Sequence, residues 1–326
     1  MLNDDLRYLL RQIGRADMDQ IKKAAVVFCV NEAAKSKSEK NRVFFEEAKE
    51  KILHSPQFFI MSQDQALFAD IEAGSDFDDN LYYVSEREQK IEQRILTMQQ
   101  ASEKLQASGI NYRIAVLLQG VSGTGKTTFA RHLAKVMNRN IYIASLSGVV
   151  GGTLGKTGEN IAKIFRLVQQ DPNAILVLDE LDAIVVNREQ GTYGSSAGSE
   201  MKRATLSLMQ CIDHLPSNII LIAATNQISG VDSALIRRFP ILHEIRMLNT
   251  SEREKMLRQV LEKVKTNAHT TGSFDLQWSE EELTQYAKDC EGISNAKIVD
   301  QLTQAIADML VQGEEKLHFP ARKDKA

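Results

Sequence analysis

From about residue 112 onward, short apolar runs alternate with amphipathic stretches. YRIAVLLQG (112–120), IYIAS (141–145), AILVLD (174–179) and NIILIAATN (218–226) are rich in Ile, Val and Leu, and helical sequence separates each from the next. Strands that read as continuous apolar runs are buried on both faces, as in a parallel sheet held between helix layers. The first run ends in a glycine-rich turn and leads into the amphipathic TTFARHLAKVM, so this segment reads as strand, loop and helix. Between about 250 and 313 the strand pattern is gone. SEREKMLRQVLEKV, SEEELTQYAKDC and NAKIVDQLTQAIADML have helical periodicity, and the last two begin near Ser and Asn, both good N-cap residues.

The N-terminal part has a different pattern. Leu6, Leu9, Leu10 and Ile13 fall at helical spacing, as do Ile21, Ala24, Ala25 and Phe28, and a further helix is expected through FFEEAKEKIL. KSKSEKN (35–41) reads as a loop or helix junction, and GSDFDDN (74–80) as a linker of turn formers and acids. After a short apolar start, LYYV, residues 81–110 are strongly helical. The order predicted is a helical arm (1–78), an α/β core (79–248) and a helical lid (249–326).

Composition narrows the class of protein without choosing a function. A chain of 326 residues with 43% hydrophobic and 25% charged residues has enough apolar side chains for a sizeable core. A net charge of −3 gives no global pull toward nucleic acid. Cys29, Cys211 and Cys290 lie far apart and show neither metal nor redox spacing. No apolar run approaches the roughly 20 residues that span a bilayer, and MLNDDLRYLLRQ lacks a signal-peptide layout. The expectation is a cytoplasmic protein with no membrane partner.

The chemistry is concentrated in the strand–loop–helix segment. GVSGTGKT (120–127) fits G-x-x-x-x-G-K-[ST] in the structural context that motif requires. Gly120, Val121, Ser122, Gly123, Thr124 and Gly125 form a loop whose N–H groups can turn around phosphates, and the following helix directs its positive end at them. Lys126 can reach the β- and γ-phosphates, and Thr127 can ligate Mg²⁺, with Thr128 next in the helix. The expected cofactors are ATP and Mg²⁺. An acid at the end of a buried apolar strand needs a positive or metal partner, which makes Asp179 a natural Mg²⁺ partner, either as a direct ligand or one layer behind the ligands. Glu180 is the candidate base that polarises the attacking water. Asn226 ends the next apolar run and should lie beside Asp179, because ligands collect at the C-terminal ends of parallel strands.

These motifs, taken in order, resemble the AAA ATPases, a group within the wider AAA+ superfamily, from about Tyr82 to Leu310. GVSGTGKTT resembles Walker A, LVLDELDAI Walker B, AATN sensor 1, DSALIRRF (232–239) the arginine-finger segment, and GISNAK (292–297) the G-[YF]-S-G-A-D turn of the lid. The resemblance implies a homo-oligomeric ring, expected to be a hexamer, with ATP at subunit interfaces and Arg237 and Arg238 reaching a neighbour's γ-phosphate. It also implies that Ala296 packs near the ribose or base, and that the stretch around Tyr83 and Val84 contributes to the adenine pocket.

GTLGKTGENI (152–161) aligns with the family's first pore-loop segment, but the usual aromatic is replaced by Thr153, followed by Leu154 and Gly155. NREQGTYGSSAGSEMKR (187–203) would be the second pore loop or a plain loop, with Tyr193 as its aromatic. The leading expectation is an ATP-driven remodeller of a protein partner recognised through residues 1–78. An ATP-gated assembly switch without threading and a nucleic-acid-acting loader or regulator are the alternatives. No basic DNA-binding element is evident, so nucleic acid is the less favoured partner.

Overall fold

The computed structural model of the chain describes residues 18–36, 38–54, 67–110, 112–150, 156–184 and 196–320. The chain divides into two compact units at Met61/Ser62. The first contains a pair of helices, α1 (Met18–Lys35) and α2 (Glu39–His54), separated within the polar run read as a junction. Phe28 meets Phe45 edge-to-face across the pair, with ring centroids 6.3 Å apart, and Cys29 and Ala33 are buried. The helical spacing noted at Leu6–Ile13 lies outside the described residues.

The second unit is a mixed α/β fold around a six-stranded, mostly parallel sheet. Its strands are β1 (Asp70–Ala73), β2 (Ala115–Gln119), β3 (Asn140–Ser145), β4 (Ala174–Asp179), β5 (Ile220–Thr225) and β6 (Ile241–Glu244), in the spatial order β1-β3-β4-β5-β2-β6. All neighbours pair in parallel except β1, which runs antiparallel to β3. The four apolar runs became the four inner strands. Residues 174–178 of β4 and 220–224 of β5 are fully buried, as strands covered on both faces must be. α3 (Glu86–Ala107) starts with a reciprocal Ser85–Glu88 capping box, and α4 (Lys126–Val136) buries Phe129, Ala130, Leu133 and Ala134 against the sheet. Each large side chain so buried contributes roughly 1.5–3 kcal/mol. α5 (Leu146–Val150), α6 (Thr157–Val168), α7 (Ser196–Asp213) and the short α8 (Ser233–Ile236) complete the core.

Two strands and one boundary correct the sequence reading. β1 lies inside the stretch read as a helical arm, so residues 70–78 go with the sheet, and the division falls at 61/62 instead of 78/79. Its acids Asp70 and Glu72 are gripped by Arg131 of α4 at 2.6 and 2.8 Å. β6 follows Pro240 at the opposite edge and exposes Leu242. The loop expected at 187–203 also changes, because Ser196 already begins α7.

The lid is built from α9 (Thr250–Thr271), α10 (Glu280–Asp289) and α11 (Asn295–Gln312). Asn249, Ser279 and Ser294 cap their N-termini, and Gly272 and Gly313 end α9 and α11 in the left-handed conformation. A separate apolar core forms here, including Leu257, Leu261, Leu283, Ile298 and Leu302. Among the described residues, no helix is long and apolar enough to cross a membrane.

Candidate functional site

The loop between β2 and α4 needs backbone conformations that only glycine adopts without strain. Gly120, Gly123 and Gly125 have φ of 154°, 77° and 102°. A Cβ at Gly120 would lie 2.1 Å from the carbonyl oxygen of Ile245, so this position is closed to any side chain. The loop folds around Lys126, the first residue of α4. Its ammonium donates to the carbonyls of Gly120 (2.7 Å) and Val121 (3.1 Å) and to Asn226 Oδ1 (2.8 Å). Burial lowers its pKa, against the pull of Asp179 and Asp182. Thr124 Oγ1 closes the turn by donating to Val121 O at 2.9 Å.

The acids arrive on β4, one strand beyond β5. Thr127 Oγ1 donates to Asp179 Oδ2 at 2.7 Å, so a hydroxyl and a carboxylate are paired beside the buried lysine. Glu180 sits at φ 57°, ψ 47°. A left-handed conformation in a non-glycine residue costs of order 1–2 kcal/mol. Its backbone N–H donates to Asp179 Oδ1 (2.9 Å), and its Oε2 accepts from Ser145 Oγ (2.8 Å) and from Ser147 Oγ. Asn226 is held from behind by Asp182, whose Oδ1 accepts from Asn226 N–H (3.0 Å) and Thr225 Oγ1 (2.9 Å). Burial alone would raise the Asp182 pKa, but these donors outweigh it and leave it lowered.

Two hydrogen-bonded pairs, Lys126–Asn226 and Thr127–Asp179, thus lie side by side through the adjacent residues 126 and 127, with Glu180 bonded to Asp179. The sequence reading overlooked Ser145, Ser147, Asp182 and Thr225. Ser145 and Asp179 share a register position on β3 and β4, which brings the serine beside the acids, yet nothing in a single sequence reveals that pairing.

The two arginines separate. Arg238 is bidentate to Asp213 (2.9 and 2.7 Å) and donates to Ala234 O (2.8 Å). The Arg237 side chain is exposed and makes no hydrogen bond or ion pair among the described residues, while its backbone N–H donates to Ser233 O at 3.1 Å.

A cavity of about 280 Å³ opens beside the loop, lined among others by Tyr82, Tyr83, Gly125, Thr128, Leu248 and Ala296. The segment before α3 is strapped to the lid there: Lys263 donates to Asp79 O (2.9 Å) and Gln259 to Tyr82 O (3.4 Å). Val84 is not on the lining, and its carbonyl accepts from Gln89 of α3 at 3.3 Å. Thr153, Leu154, Gly155 and Tyr193, named for the pore loops, lie outside the described residues.

A glycine-rich loop around a buried lysine, at the C-terminal edge of a parallel sheet and beside a strand-end carboxylate, defines a P-loop nucleoside triphosphatase. The profile of the ATPase family associated with various cellular activities (AAA) matches residues 116–247. Residues 116–247 are thus an AAA-type domain, similar to those of ATPases. The chain is 31% identical over 201 residues to the proteasome-activating nucleotidase of Sulfurisphaera tokodaii, which covers 60% of this chain and 48% of that protein. It is 28% identical over 202 residues to the vesicular-fusion protein sec18 of Schizosaccharomyces pombe (59% and 25%). It is 30% identical over 209 residues to the ATP-dependent zinc metalloprotease FtsH of Mycoplasmopsis synoviae (62% and 29%). The matched region spans half or less of each of these relatives.

Proposed function

We propose that the protein hydrolyses Mg²⁺–ATP in a homo-oligomeric ring, expected to be a hexamer, and uses the cycle to remodel a partner protein bound through its N-terminal segment. The observation that carries the ring is the state of the arginines. Among the described residues, Lys126 is the cation bonded to Asn226 beside Asp179, whereas the Arg237 side chain is exposed and makes no bond, so it is free to serve a neighbour's site. An arginine supplied in trans offsets the charge that develops during phosphoryl transfer. Thr127 and Asp179 fit the few protein ligands that Mg²⁺ takes when phosphates and waters supply the rest. Glu180 fits the role of base for the attacking water, with Asn226 orienting that water or contacting the γ-phosphate.

The names of the relatives speak of proteasome activation, vesicular fusion and ATP-dependent proteolysis, and action on a separate assembly is the reading of this chain that fits beside them. The test is Glu180→Gln, which should keep ATP binding and lose turnover by about 100-fold or more. With the unmutated chain, an unfolded protein should stimulate turnover and DNA should not. Stimulation by DNA with steep salt dependence would favour the loader reading. An ATP-dependent change in oligomer size, with no stimulation by either, would favour the assembly switch.

A further inference from the structure

The lid turn sits directly on the outside of the phosphate loop, and Asn295 is the residue that joins them. Its Nδ2 donates to Thr124 O at 3.1 Å, and its Oδ1 accepts from Leu248 N–H at 3.4 Å. The next residue adds a backbone bond, from Ala296 N–H to Gly123 O at 3.3 Å. The seat is close enough that a Cβ on Gly123 would lie 2.8 Å from Ser294, the residue that caps α11. One side chain therefore touches the phosphate loop, the connection into the lid, and the first turn of the last lid helix. In the motif this turn resembles, glycine stands where Asn295 stands here, and glycine has no side chain to make either bond.

The bonds act on the part of the loop that is free to turn. Gly123 and Gly125 have φ of 77° and 102°, and nothing in their own sterics fixes the intervening peptide planes. A trans peptide points its N–H opposite its C=O. Holding the carbonyls of Gly123 and Thr124 toward the lid therefore fixes the N–H groups of Thr124 and Gly125 away from it. N–H groups of this kind are what a phosphate loop offers to phosphate oxygens.

We propose that Asn295 is a positioning residue that couples the seating of the lid to the orientation of the phosphate-loop amides, and so controls how long nucleotide is retained. The proposal rests on the reading of this loop as the ATP site. Asn295 acts through the loop and not on the reacting atoms.

The test uses the full chain with Asn295→Ala and Asn295→Asp. Aspartate keeps the acceptor for Leu248 N–H, loses the donor to Thr124 O, and sits well in the first turn of a helix. The protein should therefore melt no lower than the unmutated chain. Loss of one such bond should speed release of a fluorescent ADP by about three- to tenfold in both variants. Without nucleotide, amide hydrogen exchange in 120–127 and 292–298 should rise together. Release and exchange unchanged in Asn295→Asp would overturn the proposal, as would faster release without faster exchange in 120–127. If the unmutated chain fails to bind fluorescent ADP, the ATP reading fails instead, and the exchange measurement still decides whether Asn295 ties lid to loop.

Discussion

Removing both serine hydroxyls that hold Glu180, in a Ser145→Ala, Ser147→Ala double variant, should raise basal ATP turnover. Both hydroxyls donate to the same oxygen, Oε2, with Ser145 at 2.8 Å. The two donors engage Oε2 and fix the carboxylate's orientation, which favours the seated form over one free to meet the attacking water. A hydrogen bond to a charged group contributes about 1.5–3 kcal/mol where it is buried. This carboxylate is exposed, so screening reduces each bond to roughly 0.5–1 kcal/mol. Together they hold Glu180 in its seat by about 1–2 kcal/mol, a factor of roughly 5 to 30 in the population of the free carboxylate. Basal turnover, followed by phosphate release at saturating ATP, should rise by up to that factor, with ATP affinity unchanged. A fall in turnover at unchanged affinity would mean that the serines orient Glu180 for catalysis, and the reasoning would be refuted.

The two arginines should give opposite phenotypes. Arg237→Ala should lose turnover by about 1000-fold at an unchanged melting temperature. Arg238→Ala should lower the melting temperature by about 1–3 °C, since its pair with Asp213 is half-exposed and contributes roughly 0.5–1 kcal/mol. Equal effects on both measurements would show that the division between them is wrong. Stability should also fall on acidification through the pH range just below 6.5. His243 is half-buried, and its desolvation lowers its pKa from 6.5 despite Glu88 at 4.0 Å, while its Nε2 has no hydrogen-bond partner among the described residues. The unfolded chain then binds the proton more readily, so stability is full above pH 6.5 and is lost as pH falls toward the folded value. His243→Phe should flatten this part of the curve of melting temperature against pH, and an identical slope in the variant would remove His243 as its source.

The features legible in the sequence were those carried by contiguous residues with a strong local requirement. The phosphate loop states its glycines and lysine in eight positions, and the inner strands state their burial as unbroken apolar runs. β1 escaped because DIEA has no such run; backbone pairing to β3, about seventy residues away, and the Arg131 clamp, about sixty residues away, hold it in the sheet. β6 escaped because four residues after a proline, one of them an exposed leucine, resemble a loop. The seat of Glu180 and the support of Asn226 by Asp182 arise from neighbouring strand ends, which a single chain does not display. Arg237 and Arg238 are equivalent as letters and become distinct only when Asp213, at the end of α7, claims one of them. Ala296 was expected near the nucleotide and lines the cavity, while the role of Asn295 beside it depended on carbonyls some 170 residues earlier.

Mixing two inactive variants tests the shared site most directly. Lys126→Ala should destroy its own site but keep the arginine it lends, and Arg237→Ala should do the reverse. If the arginine acts in trans, random mixing at equal concentrations gives about one interface in four an intact loop and an intact arginine, and turnover should recover to about a quarter of the unmutated level. Turnover that stays at the level of either variant alone, in rings shown to exchange subunits, would contradict the account.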